Sequence, residues 1–139
     1  MERRVSVRIL SEQRCPGMEA ERSEVRTSGT LAPEDGGLRL HYDEDAAGAA
    51  HTSMFAGGER ITLRRSGAVR AEMVFAEGER HTTIYELAFG SLPLDILTER
   101  LDVQLDGKGG TVDLRYRIEA QGKPVSDNRL LLEVVCIEE

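Results

Sequence analysis

The sequence predicts an all-β fold: one antiparallel up-and-down β-barrel of about eight to ten strands, a single domain over residues 1–139, with little or no helix. Three observations predict it. Apolar residues recur at every second position through almost every segment, the period of a half-buried strand and not of a helix. Turn-forming clusters, "APEDGG", "DEDAAG", "AGGE", "RSG", "AEG", "DGKGG" and "EAQGK", interrupt these runs at intervals of about 8 to 14 residues. The links are short, with no long crossover, so consecutive strands pair as hairpins. Many such strands with one apolar face must hide that face and dispose of their edges, and a closed barrel does both; a sandwich is the alternative.

The elements follow in order. "VSVRI" places Val5, Val7 and Ile9 on one face, and "GLRLHYDE" places Leu38, Leu40 and Tyr42 opposite Arg39 and His41. "TVDLRYRIE" alternates Val112, Leu114, Tyr116 and Ile118 with Asp113, Arg115, Arg117 and Glu119, one dry face and one wet. "DILTERLDVQL" has some helical character, yet Leu101, Val103 and Leu105 continue at period two. A long bent strand accounts for both. Its apolar positions change from Leu92, Leu94 and Ile96 to Leu97, Leu101, Val103 and Leu105, which predicts a bulge at Ile96 to Thr98. In "NRLLLEVVCIE" both faces are largely apolar, Leu131, Val135 and Ile137 lying opposite Leu130, Leu132, Val134 and Cys136.

Register decides which side chains face inward, because a slip of one residue exchanges the faces. In "ITLRRSGAVRAEMVF" a three-residue loop, Arg65 to Gly67, pairs Leu63 with Val69 and Ile61 with Ala71 and sorts the faces cleanly. In "VFAEGERHTTIYELAFG" a loop of Ala76, Glu77 and Gly78 sets Met73 against His81, Ala71 against Thr83 and Val69 against Tyr85. The inner face of the following strand then carries His81, Thr83, Tyr85, Leu87 and Phe89.

Composition narrows the function. With 25 acidic and 18 basic residues among 139, and a formal charge of -7, the chain lacks the basic excess that nucleic acid or an anionic membrane surface requires. "MERRVSVRIL" has no continuous apolar core of a signal peptide, and no segment approaches a membrane span, so a cytoplasmic location is expected. Cys15 and Cys136 are then expected as free thiols.

The central stretch "LRRSGAVRAEMVFAEGERHTTIYELAFGSLPLDILT" resembles the core of the DUF1934 family, the YwiB-like β-barrel proteins of Gram-positive bacteria. The resemblance rests on "RSGAV", the Phe-x-x-Gly of "FAEG", Tyr85, the "FG" at Phe89 and Gly90, and Thr98, and extends more loosely to "LHYDED" and "NRLLLEVV". It implies a calycin-like, lipocalin-type barrel. It implies no activity and transfers no catalytic residue. The Gly-x-Trp of many lipocalins is absent, since the chain has no tryptophan.

No catalytic motif is present: there is no G-x-S-x-G, no H-E-x-x-H and no Gly-rich phosphate loop before a helix. His41 and His51 face outward and His81 inward by strand parity, so no metal site is expected, and no cofactor either. "RRSG" reads as a hairpin tip with solvated arginines. The strongest candidate site is the inward polar set His81, Thr83 and Tyr85, joined by Thr52 and by Asn128; Arg115 is excluded by its outward parity. Buried hydroxyls and imidazoles need partners, which each other, water or a ligand can supply. Met54, Met73, Phe75, Leu87 and Tyr116 would line the rest of the interior. The function expected is noncovalent binding of a small, partly apolar molecule inside the barrel. The alternative is a protein-interaction or assembly module, a homodimer through the last strand, with a packed interior and no ligand.

Overall fold

The computed structural model describes residues 2–43, 50–67 and 70–137, and among them there is no helix. Ten strands are present: β1 (Arg3–Arg14), β2 (Glu21–Glu34), β3 (Gly37–Asp43), β4 (Ala50–Gly57), β5 (Arg60–Gly67), β6 (Ala71–Ala76), β7 (Arg80–Leu87), β8 (Gly90–Asp106), β9 (Gly109–Ala120) and β10 (Lys123–Cys136). All ladders are antiparallel, in the order β6-β5-β4-β3-β2-β1-β10-β9-β8-β7, so the first strand joins the last and the chain forms an up-and-down barrel. Most inward positions are those the alternation marks; Phe89, expected on the inner face, instead lies in the turn after β7 and is 88% exposed. Val5, Val7, Leu31, Leu40, Ile61, Ile96, Val112, Leu114 and Leu132 are almost fully buried.

The barrel closes where β6 meets β7, and there the ladder is thin. Arg70 and Glu86 exchange both backbone hydrogen bonds, at 2.9 and 2.8 Å, and the Thr83 hydroxyl donates to the Glu72 carbonyl. Farther along, β8 takes over the contact: the Gly78 amide donates to the Thr98 carbonyl at 2.9 Å, and the Thr98 amide donates to the Glu79 carbonyl at 3.1 Å.

Three further details depart from expectation. The β5–β6 hairpin pairs Leu63 with Met73 and Ile61 with Phe75, not with Val69 and Ala71. The shift is even, so the faces are unchanged. Its cause lies on the other side of β5, where Thr52, His51 and Ala50 pair with Arg65, Ser66 and Gly67 and draw the expected loop into the sheet. The pairing expected for Val69, like most of the "DEDAAG" turn, lies outside the described residues. At β6–β7 the turn is Ala76–Glu79, closed by the Glu79 amide on the Ala76 carbonyl at 3.0 Å, with Gly78 at φ 79, where a turn needs a left-handed residue. The bridge Arg70↔Glu86 thus lies two residues off the expected register, which sets Ala71 against Thr83. Finally, the β8 bulge falls between Thr98 and Arg100, one step later than Ile96 to Thr98, because Thr98 and not Leu97 occupies the last inward position before it.

Candidate functional site: the barrel mouth and the layer beneath it

The ten residues that the sequence singles out do not form one pocket. Thr52 is fully buried on a rung with Tyr42 and Arg65, and Met54 pairs with Leu63, which pairs with Met73. Tyr85 joins this group by donating its hydroxyl to the Met73 sulfur at 3.4 Å, while Thr83 is held by the Glu72 carbonyl. A second group forms across β6, β9 and β10. Phe75 packs at a tilt on Tyr116, 4.9 Å between ring centres, and Asn128 is the register partner of Tyr116 and donates to Ser126 Oγ at 2.9 Å. These side chains fill the interior with mutually satisfied polar groups. Leu87 sits apart at the β7–β8 hairpin, paired with Gly90.

His81 also stands apart. It pairs with Ile96 in the ladder, yet its imidazole is 29% exposed and lies 3.1 Å from Glu79 Oε1, at the end of the barrel that carries the β2–β3, β4–β5 and β6–β7 turns. His41 and His51, both expected to face outward, stack on the outer surface with ring centres 5.6 Å apart, and His51 Nδ1 lies 3.0 Å from Asp43. No cluster of three metal-ligating side chains occurs among the described residues. Arg65, expected in a loop, instead takes an inward position on β5 across from Thr52 and Ala71; the ladder with β4 decides this, and the hairpin sequence alone does not show it.

A space large enough for a small molecule opens at the mouth. A cavity of about 860 Å³ opens between the β2–β3, β4–β5 and β6–β7 turns and the second half of β8. None of the ten predicted residues lines it. Leu38, Ala56, Leu101 and Leu105 give it an apolar floor, Leu38, Leu101 and Leu105 resting on the core. Its lining carries the carboxylates Glu59, Glu77 and Glu79 on the turns and Asp102 on β8 against one guanidinium, Arg60, which pairs with Glu79 at 3.2 Å. The sequence shows the three glutamates only at turn tips, a pattern that solvated loops share.

The bulge builds this rim. Beyond Leu97, which pairs with Arg80, β8 has no β7 residue beside it, so its edge amides need other acceptors. The Thr98 amide uses the Glu79 carbonyl and the Leu101 amide uses Glu77 Oε1 at 3.1 Å. The β6–β7 turn is thereby tied down across the bulge. At the same place the Thr98 hydroxyl, in a side chain only 3% exposed, has no hydrogen-bond partner among the described residues.

Charges elsewhere are paired on the outer wall. Arg8 bridges Glu133 at 2.7 Å and Glu24 at 3.1 Å across three strands, and the hydrogen bond from Arg8 holds the Glu24 carboxyl below the usual carboxylate range. The hydrogen bond from Arg129 lowers Asp113 in the same way. No helix among the described residues is long and apolar enough to cross a membrane.

Comparison with known proteins agrees with this architecture. A match of 28% identity over 94 residues, 67% of this chain and 66% of the relative, links it to the uncharacterized β-barrel protein YwiB of Bacillus subtilis (strain 168). The match thus spans just under two thirds of that relative's length. The crystal structure of the ywiB protein from Bacillus subtilis superposes with a TM-score of 0.87 at 22% identity, covering 99% of this chain and 94% of that one, which shows a shared fold. The family model for a domain of unknown function, DUF1934, matches residues 7–132. With that model covering most of the chain and the same barrel in a solved structure, the chain belongs to the DUF1934 family of β-barrel proteins.

Proposed function

We propose that this barrel binds a small, partly apolar ligand noncovalently, and that the ligand sits in the mouth above the packed interior. The observation that carries the reading is the 860 Å³ cavity with its apolar floor of Leu38, Ala56, Leu101 and Leu105. That volume lies in the range of small-molecule sites, about 300 to 1,000 Å³. The interior polar residues serve as its foundation: Thr83, Tyr85 and Asn128 already bond within the protein. A second reading, pairing of two copies through the outer face of β10, is favoured by Val135 and Ile137, which are 60% and 51% exposed on that face. Native mass spectrometry of protein purified from its own host tests both. The first predicts a noncovalent adduct of small-molecule mass that is lost on collisional activation. Only the bare chain mass, with no adduct on adding short alkyl alcohols, amines or acids, would sink it; absence of dimer ions as concentration rises would remove the second.

A further inference from the structure

Beyond Leu97 the second half of β8 has β9 on one side and, among the described residues, no strand on the other. The direction of its backbone groups can be assigned residue by residue. The Leu101 amide donates to Glu77 Oε1 at 3.1 Å, so it points away from β9, whereas the Gln104 carbonyl oxygen stands close against Gly110 of β9. Successive residues of an antiparallel strand turn their N–H and C=O groups to opposite sides. Leu101, Val103 and Leu105 therefore present theirs to the open side, while Asp102 and Gln104 serve the β9 ladder. Glu77 takes the first of these amides. No hydrogen bond among the described residues reaches the Leu101 carbonyl or the N–H and C=O groups of Val103 and Leu105.

Beside this free edge lies the mouth. Leu101, Asp102, Val103 and Leu105 line its cavity, and Val103 is 36% exposed. Val103 and Leu105 repeat the same donor and acceptor pair about 6.8 Å apart, two residues of strand, and an extended peptide backbone carries the complementary pairs at that repeat. The side chains specify the rest of the partner. Leu101 and Leu105 rest on the core, so residues paired with them turn toward an apolar floor. On the alternate face Asp102 forms no ion pair among the described residues, and its β9 partner is a second carboxylate, Asp113, which Arg129 holds. A cation opposite Asp102 supplies the cross-strand counter-charge that β9 does not.

We propose that the free edge of β8 from Leu101 to Leu105 takes an added strand: an extended segment of a partner protein, apolar at alternate positions and basic between them. This goes beyond a small molecule in the mouth and does not depend on one. Short blocked peptides test it on the intact protein: alternating valine and lysine, the same peptide N-methylated on the valine nitrogens that would face β8, and alternating valine and glutamate. Fluorescence anisotropy measures affinity, and amide hydrogen exchange followed by nuclear magnetic resonance locates the contact. The valine–lysine peptide should bind saturably and slow exchange at Val103 and Leu105, and N-methylation should weaken it about tenfold, the net worth of one or two backbone hydrogen bonds. The valine–glutamate peptide should bind about tenfold more weakly than the valine–lysine peptide. Val103→Pro removes one edge donor without touching the β9 ladder and should weaken the valine–lysine peptide severalfold with the barrel still folded by circular dichroism. Affinity unchanged by N-methylation, or protection away from Val103 and Leu105, would overturn strand addition. Equal binding of the glutamate peptide would overturn the basic pattern. Binding of no peptide would overturn the whole proposal and leave the small-molecule reading to the mass measurement.

Discussion

At the residue scale, Thr98 carries a cost that the barrel bears on folding. A buried hydroxyl without a partner forfeits its hydrogen bonds to water on folding, at about 1 to 3 kcal/mol. Valine has the same shape without the polar atom. Thr98→Val is therefore expected to be at least as stable as the parent, by up to about 1 kcal/mol in urea denaturation without ligand. A loss of stability beyond that size would mean that the hydroxyl has a structural partner. Thr98 is legible in the sequence as a family feature, but its orphaned oxygen is not, because only the placement of β7, β8 and β9 around it shows that nothing reaches it. Arg65 illustrates the same limit. In "RRSG" it reads as a turn residue, and the ladder from β4 alone places it in line with Thr52 and Tyr42.

At the element scale, what period-two alternation governs was readable and what depends on strand length was not. The inward sides of β1, β3, β6 and β9 follow directly from the alternation of Val5, Leu40, Met73 and Leu114 with polar neighbours. The β5–β6 register was shifted by four residues, from Leu63–Val69 to Leu63–Met73, because a hairpin argument weighs one turn and ignores the third strand. Glycine marks another constraint on the elements. Gly110 has φ 141, and a Cβ there would stand 1.9 Å from the Gln104 carbonyl oxygen, a backbone atom of β8 that cannot give way. Gly110→Ala should thus destabilise the barrel by about 2 kcal/mol or more, measured as a drop in melting temperature, because β8 and β9 must separate. A change within about 0.5 kcal/mol would contradict the close approach.

At the scale of the whole molecule, the barrel divides its surface by task. The wall is a lattice of cross-strand ion pairs such as Glu24–Arg8–Glu133 and Arg129–Asp113, the interior is packed, and one end is open with an acidic rim. The sequence disclosed the barrel and the apolar inner face but directed attention to the interior, to His81, Thr83 and Tyr85. It did so because polar residues at inward positions are visible in an alternating pattern, whereas a mouth gathers Gly36, Glu59, Glu77 and Leu101 from four separate stretches of chain. His81 connects the two through Glu79, and Leu38, Leu101 and Leu105 of the mouth rest on the core that holds Met54, Met73 and Phe75.

The central claim is that the open end is where a ligand binds. Titrating isotopically labelled protein with octylamine and following backbone amide shifts by nuclear magnetic resonance tests it most directly. The account predicts saturable shifts clustered at residues 36–38, 56–60, 76–79 and 101–105, with little change along the outer faces of β1 and β10. Shifts centred on β10, shifts spread evenly over the wall, or none at all would contradict it.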